Sequence, residues 1–152
     1  MFVCLGNICR SPLAHVVFAH KVQERGLGDR IRVDSCGTGS WHVGGGADPG
    51  SVAVAARHGL DLSAHRARQL RRDDPDRFEW IVCMDRSNQR NTARDTGRPD
   101  LATLLLRDHD PRGGGDVPDP YAQGRGAFST VYDIVERSTE RLLDAVVAGL
   151  DP

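Results

Sequence analysis

The sequence predicts an α/β fold, a single domain with a four-stranded parallel sheet, helices on both faces and a phosphate-binding loop after the first strand. Three observations support this fold class. Short apolar runs alternate with helical patterns along the chain, and a length of 152 residues suits one domain over residues 1–152. A loop of small residues also joins the first apolar run directly to a helix. Because ligands bind beyond the carboxyl ends of parallel strands, we expect a functional site at that loop.

The first part of the chain predicts a βαβ unit. Apolar runs predict strands over residues 1–4 and 31–35. Between them, apolar residues at helical spacing predict a helix over residues 13–25, with Ser11 as its N-cap and Pro12 in its first turn. The loop before this helix therefore faces the positive end of the helix dipole.

Turn residues and periodicity divide the rest of the chain into alternating elements. In chain order these are a helix over 49–58, a strand over 79–84, a helix over 86–96, a strand over 103–106 and a helix over 125–147. The irregular segment over residues 108–118 is too long for a simple connection. Such loops usually carry functional residues.

Charge and composition exclude several classes of protein. A formal net charge of −1 excludes a strongly electrostatic mode of nucleic-acid binding. No apolar run approaches the roughly 18 residues of a membrane span, and no targeting or lipidation signal is found, so we expect a cytoplasmic protein with no membrane partner. The four cysteines show no zinc-ligand spacing. We therefore expect free thiols, no metal and no cofactor.

The most informative segment begins at Cys4 and continues to Ser11, with a thiol and the Arg10 guanidinium six positions apart. Gly6 and Asn7 tolerate positive φ, so the backbone can curl and point successive N–H groups at an anion. A helix N-terminus beside an arginine favours the thiolate form of a cysteine. The segment predicts a phosphate site with Cys4 as its nucleophile, formed by Cys4, Leu5, Gly6, Asn7, Ile8, Cys9, Arg10 and Ser11.

The C-x5-R spacing alone is a weak signal in a chain so rich in arginine. The preceding strand and the helix start that follows make the match much more specific. The alternative is a buried thiol at the end of a strand with an unrelated surface arginine.

A second constellation is the run Asp-Val-Pro-Asp-Pro-Tyr over residues 116–121. Prolines on both sides of Asp119 exclude a helix and present its carboxyl group on a stiff turn. A carboxyl group held in this way suits a general acid. The alternative is an ordinary turn, in which aspartate and proline are common.

Together these segments resemble the low molecular weight protein tyrosine phosphatase family over almost the whole chain. The matching blocks are residues 3–17, 34–70, 78–88 and 116–121. The resemblance implies that Cys4 is the nucleophile, Arg10 the phosphate clamp and Asp119 the acid. It also implies that hydrogen bonds from four side chains support the loop, those of Asn7, Ser11, Ser35 and His65. It further implies that the substrate lies between two aromatic walls, Trp41 and Tyr121.

The chain departs from the family pattern at several positions. His15 stands where the family usually has glutamate, Cys36 where it usually has alanine, and Gly50 where it usually has arginine. Ala122 replaces an aromatic residue that often follows Asp-Pro-Tyr.

The resemblance implies an enzyme that hydrolyses phosphotyrosine in protein substrates, and small aryl phosphates, through a phosphocysteine intermediate with inorganic phosphate as product. Protein arginine phosphatases share the fold but tend to have Thr and Phe where this chain has Ile8 and Tyr121. Thioredoxin-coupled arsenate reductases need two further cysteines close together, and Cys83 has no such partner nearby in sequence. A non-catalytic phosphate-binding module is disfavoured because nucleophile, clamp and acid are all present.

Cys9 has two interpretations. It is either a small apolar side chain that packs into the core or a thiol that resolves oxidised Cys4 through a Cys4–Cys9 disulfide. The second interpretation predicts a redox-sensitive enzyme.

Overall fold

A computed structural model describes residues 1–150, so the last two residues of the predicted domain over 1–152 lie outside the described residues. Four parallel strands form one sheet in the order β2-β1-β3-β4. They are β1 (Phe2–Cys4), β2 (Ser35–Gly37), β3 (Val82–Cys83) and β4 (Leu104–Leu105). The predicted α/β fold with a four-stranded parallel sheet is confirmed.

Residues 1–150 also form five α-helices and a 3₁₀ turn over Leu106–His109, and four of the helices connect the strands, whereas the 3₁₀ turn and the last helix follow β4. The helices are α1 (Arg10–Glu24), α2 (Pro49–Arg57), α3 (Asp74–Arg77), α4 (Arg86–Thr96) and α5 (Arg125–Leu150). The sequence analysis missed α3, because a helix of four residues has no detectable period. No helix among residues 1–150 is both long enough and apolar enough to cross a membrane.

Side-chain alternation in β1 divides the core into two layers, one on each face of the sheet. Phe2 and Cys4 belong to the larger layer, which packs against the apolar faces of α1, α2 and α5. Val3 belongs to the smaller layer, together with Cys36 and Cys83 on the neighbouring strands. The two layers hold β1 rigidly, so the residue at its carboxyl end has a fixed position.

Several predicted boundaries are wrong. Strand β3 begins at residue 82 instead of 79, strand β4 covers residues 104–105 instead of 103–106, and helix α5 ends at residue 150 instead of 147. The two larger differences concern helix α1 and strand β2. Helix α1 begins at Arg10 instead of residue 13, with Cys9 as a backbone-only cap, so Ser11 lies inside the first turn and is not the N-cap. Strand β2 covers Ser35–Gly37 instead of residues 31–35, because pairing starts where Phe2 donates its N–H to the carbonyl of Asp34. The first turn of α1 therefore contains both Arg10 and Ser11, directly after the loop that follows β1.

Candidate active site

The loop between β1 and α1 curls around the sulfur of Cys4. Asn7 has φ of 56°, and its backbone N–H donates to Cys4 Sγ over 3.3 Å. Ser11 Oγ lies 2.9 Å from the same sulfur. Of the two residues expected to allow the curl, only Asn7 is left-handed, whereas Gly6 leaves space for the His42 ring, which is 2.9 Å from where a Cβ of Gly6 would be.

The fully buried side chain of Asn7 keeps this curl in place. Its Oδ1 accepts from the backbone N–H of Arg68 over 3.0 Å, so its amide nitrogen must face the other way. That nitrogen donates to Ser11 Oγ over 2.8 Å and to Ser35 Oγ over 3.0 Å. The amide therefore connects the loop, the first turn of α1 and the start of β2.

Backbone groups of the loop are held as well. His65 Nε2 donates to the carbonyl of Asn7 over 2.7 Å. Gly37, at the end of β2, approaches the loop so closely that an added Cβ would lie 2.7 Å from the carbonyl oxygen of Leu5. The structure thus brings Asn7, Ser11, Ser35 and His65 to the loop, as expected from the resemblance.

Arg10 projects from the start of α1 and is almost fully buried. Its Nη1 donates to Asp85 Oδ2 over 2.7 Å and to the carbonyl of Val117 over 3.0 Å. Burial by itself lowers the pKa of this guanidinium, but the nearby Cys4, Asp85 and Asp119 outweigh that effect and leave the pKa raised. The guanidinium therefore stays charged, with its plane fixed by two protein acceptors.

Asp119 lies across the pocket from Cys4, on the loop between the 3₁₀ turn and α5. Its Oδ2 is 3.8 Å from Arg10 Nη2, and its Oδ1 accepts the backbone N–H of Tyr121 over 3.1 Å. The side chain is 47% exposed, so the carboxyl group can exchange protons with solvent. This position suits proton transfer to a group leaving the pocket.

One cavity of about 150 Å³ at the carboxyl edge of the sheet is lined by Cys4, Arg10 and Asp119. Asn7 and Ser11 are fully buried and do not line it. Trp41 and Tyr121 form its exposed walls, with 72% and 53% of their surfaces accessible. Besides these walls, the cavity is lined by Cys4, Leu5, Gly6, Ile8, Cys9, Arg10, His42 and Asp119.

A larger cavity of about 490 Å³ lies at the opposite, amino edge of the sheet, beside Phe2 and Trp80. None of the described residues that line it carries a thiol, hydroxyl or imidazole group. The smaller cavity is therefore the candidate active site, because size alone supplies no chemistry.

The sequence analysis missed three residues of the site. Asp85 caps α4 and holds Arg10, and its position directly after the third predicted strand was a usable signal. Arg68 supports Asn7 through its backbone, while its side chain is paired with Asp34 and Asp74. His42 lies near Tyr121, with 6.3 Å between ring centroids. The only signal for it in the sequence was its position next to Trp41.

The chain is similar to known proteins over almost all of its length. The family model described as low molecular weight phosphotyrosine protein phosphatase matches residues 1–150. A low molecular weight protein-tyrosine-phosphatase of Streptomyces coelicolor is 45% identical over 150 residues, which cover 95% of this chain and 91% of that protein.

Two solved structures have the same fold. YfkJ from Bacillus subtilis superposes with a TM-score of 0.91 at 34% identity, covering 97% of this chain and 93% of the other. Wzb from Vibrio vulnificus, solved in complex with benzylphosphonate, gives a TM-score of 0.82 at 25% identity and 95% coverage of both chains. The chain therefore belongs to the low molecular weight phosphotyrosine protein phosphatase family of enzymes, as its sequence motifs had indicated.

Proposed function

We propose that this chain hydrolyses phosphotyrosine in proteins, and small aryl phosphates, through a phosphocysteine intermediate. The observation that carries the proposal is the convergence of Cys4, Arg10 and Asp119 on one cavity with aromatic walls. A nucleophile, a fixed cation and an acid are the groups that such a reaction needs.

In the first step, Cys4 Sγ attacks phosphorus in line with the aryl oxygen. The S–P bond forms while the P–O bond to the aryl group breaks, and Asp119 gives its proton to the leaving phenolate. In the second step, water attacks phosphorus, Asp119 takes its proton, and the S–P bond breaks to release inorganic phosphate. Ser11 hydrogen-bonds the departing sulfur, because its hydroxyl already lies 2.9 Å from Sγ.

Charge on the phosphoryl oxygens is neutralised by the protein itself. Backbone N–H groups of the curled loop and the start of α1 face the site, and Arg10 adds a permanent positive charge. Because two acceptors hold Arg10 on Nη1, its remaining donors are oriented before substrate binds. None of these steps needs a metal ion, since amides and guanidinium supply the electrostatic stabilisation.

The cavity also favours one class of substrate. Trp41 and Tyr121 project above the phosphate loop, so a phosphorylated ring fits between them while its peptide backbone stays outside. The benzylphosphonate complex of Vibrio vulnificus Wzb supports this orientation, since that ligand joins an aromatic ring to a phosphonate.

A peptide series tests the proposed substrate class. We expect kcat/KM for a phosphotyrosine peptide to exceed that for the matched phosphoserine peptide by at least about 10³, because the shorter side chain cannot bring phosphorus to Cys4. A phosphoarginine peptide of the same sequence serves as the third substrate. Comparable values for the three peptides would contradict the proposal, and a preference for phosphoarginine would favour the protein arginine phosphatases.

Arsenate reduction coupled to thioredoxin is disfavoured by the sheet register. Cys36 and Cys83 both stand opposite Val3, one on each side of β1. They are thus two strand spacings apart, about 9–10 Å, which exceeds the roughly 4.4–6.8 Å between Cα atoms that a disulfide requires. Both are fully buried in the layer that excludes Cys4. They cannot relay a disulfide from the loop.

Cys9 supports a redox-sensitive enzyme. It lines the same cavity as Cys4, and burial raises the pKa of its thiol, so the thiol keeps its proton near neutral pH. Peroxide would oxidise the sulfur of Cys4 to a sulfenic acid. Cys9 would then form the S–S bond as water leaves, its thiol proton going to the departing hydroxyl.

We expect peroxide to inactivate the wild-type enzyme reversibly, with phosphate protecting it. Cys9→Ser should be active but recover at most about one tenth of its activity after oxidation and reduction, because sulfinic acid forms unchecked. Cys83→Ser, which removes a buried thiol outside the cavity, is the control and should recover like wild type. Full recovery of Cys9→Ser, or peptide maps that pair Cys4 with another cysteine, would refute this role.

A further inference from the structure

His15 lies behind the phosphate loop on α1 and has no place in the chemistry described above. Its Nδ1 is 3.2 Å from Ser35 Oγ, the hydroxyl to which Asn7 donates. A hydrogen-bonded chain therefore leads from His15 through Ser35 and Asn7 to Ser11 and the sulfur of Cys4.

The hydrogen-bond donors around Ser35 indicate the tautomer and charge of the His15 imidazole. The amide nitrogen of Asn7 donates both of its hydrogens, one to Ser11 Oγ and one to Ser35 Oγ. Ser35 Oγ is therefore an acceptor toward Asn7 and must place its own proton elsewhere. Within residues 1–150, the other hydrogen-bond partner of this hydroxyl is His15 Nδ1. His15 must accept there, which requires the neutral imidazole with its proton on Nε2.

His65 supports the same loop as a hydrogen-bond donor, whereas His15 supports it as an acceptor. Its Nε2 donates to the carbonyl of Asn7, so that nitrogen must carry a proton. The two histidines thus support one residue, His15 as an acceptor through Ser35 and His65 as a donor. The His65 contact needs a donor nitrogen, whereas the His15 contact needs an acceptor nitrogen, which protonation would convert to a donor.

The surroundings keep His15 neutral near neutral pH. Burial lowers its pKa below the ordinary value of 6.5. The groups that face it are Asp34, which favours the charged form, and His65, Arg68 and the amino terminus, which oppose it. Arg68 is itself paired with Asp34, so the carboxylate is already neutralised.

We propose that His15 is a positioning residue of this active site, which in its neutral form accepts the Ser35 hydroxyl and thereby holds Asn7 and the phosphate loop in the catalytic conformation. The inference rests on the proposed phosphatase function and adds a pH-dependent element to it. Protonated His15 would donate to Ser35 and leave the buried Ser35 proton without an acceptor, which loosens the Asn7 amide and the loop.

Asparagine is the informative replacement, because its Oδ1 can occupy the place of Nδ1 and accept from Ser35 without titrating. We expect His15→Asn to hydrolyse p-nitrophenyl phosphate within about threefold of wild type at pH 7.5, since the acceptor is kept. As the pH falls below the lowered pKa of His15, the ratio of kcat/KM for His15→Asn to that for wild type should rise by up to about tenfold, because only wild type loses its acceptor. The ratio cancels ionisation of the substrate.

Two further variants complete the series. His15→Ala should lose about tenfold in kcat/KM at pH 7.5, because Ser35 then lacks its acceptor at every pH. His20→Asn is the matched control, since His20 is on the same helix but is 53% exposed and pairs with Glu24. It should follow the wild-type pH profile.

Nitrogen NMR shifts of the imidazole give a readout that does not depend on turnover. We expect His15 in the Nε2–H form at pH 7.5, and the Nδ1–H form would overturn the inference. A His15→Asn profile superimposable on that of wild type would also overturn it, while leaving the phosphatase function intact. A wild-type protein that hydrolyses no phosphate ester at any pH would instead refute the proposed function, and the tautomer would then decide the inference alone.

Discussion

Replacing Cys4 with serine is expected to reduce turnover of phosphotyrosine peptides below detection, a loss of at least about 10⁵. A serine hydroxyl is a much weaker nucleophile than a thiolate. Binding of phosphate or vanadate should stay within about tenfold of wild type, because the loop amides and Arg10 make most of the anion contacts. Isothermal titration and steady-state kinetics on the same sample separate the two effects.

Cys83→Ser is the control for this experiment. Cys83 is a fully buried thiol in β3 on the other face of the sheet, so its replacement should leave the chemistry intact. Substantial hydrolysis by Cys4→Ser would exclude a covalent intermediate on this residue. Loss of anion binding together with activity would show that the substitution had damaged the loop instead of removing the nucleophile.

Replacing Asp119 with alanine should lower kcat for phenolic esters by about 10² to 10⁴ with KM little changed, because the acid acts only in the transition state. The loss should shrink as the leaving group becomes more acidic, since such a phenolate needs less help from a proton. A plot of log kcat against leaving-group pKa is therefore expected to be steeper for the variant than for wild type.

Asp116→Ala tests whether the loss comes from the carboxyl group or from damage to its loop. Asp116 is on the same loop, but its side chain accepts from the backbone N–H of Arg86 and does not line the cavity. We expect it to lose less than about tenfold. Equal rate losses for acidic and basic leaving groups in Asp119→Ala would show that Asp119 is not the acid.

Helices marked by capping and turn residues could be predicted from the sequence. The bounds of strands could not, because they depend on which strands pair. The polar helix over Arg86–Thr96 is where the turn residues placed it, between the cap Asp85 and the left-handed Gly97. Strand β2 was misplaced because apolar periodicity marks burial, whereas ladder pairing depends on where β1 begins. Ile31 and Val33 do pack against the core, although they lie outside the strand.

The same division applies to the site. Cys4 and Arg10 lie close in sequence, so their loop could be predicted from local composition, and Asp119 from its flanking prolines. Asp85 could not be assigned to Arg10, because the two are 75 positions apart and only the order of strands brings them together. The tautomer of His15 was equally inaccessible, since it depends on which way the Asn7 amide faces.

Trapping the intermediate tests the proposed mechanism most directly. Wild type should be mixed with p-nitrophenyl phosphate, quenched in acid within milliseconds, and digested for mass spectrometry. The mechanism predicts the mass of one phosphoryl group on the peptide that contains Cys4, bound to sulfur and absent from Cys4→Ser. A burst of p-nitrophenol with no such adduct, or with the phosphoryl group on another residue, would contradict it.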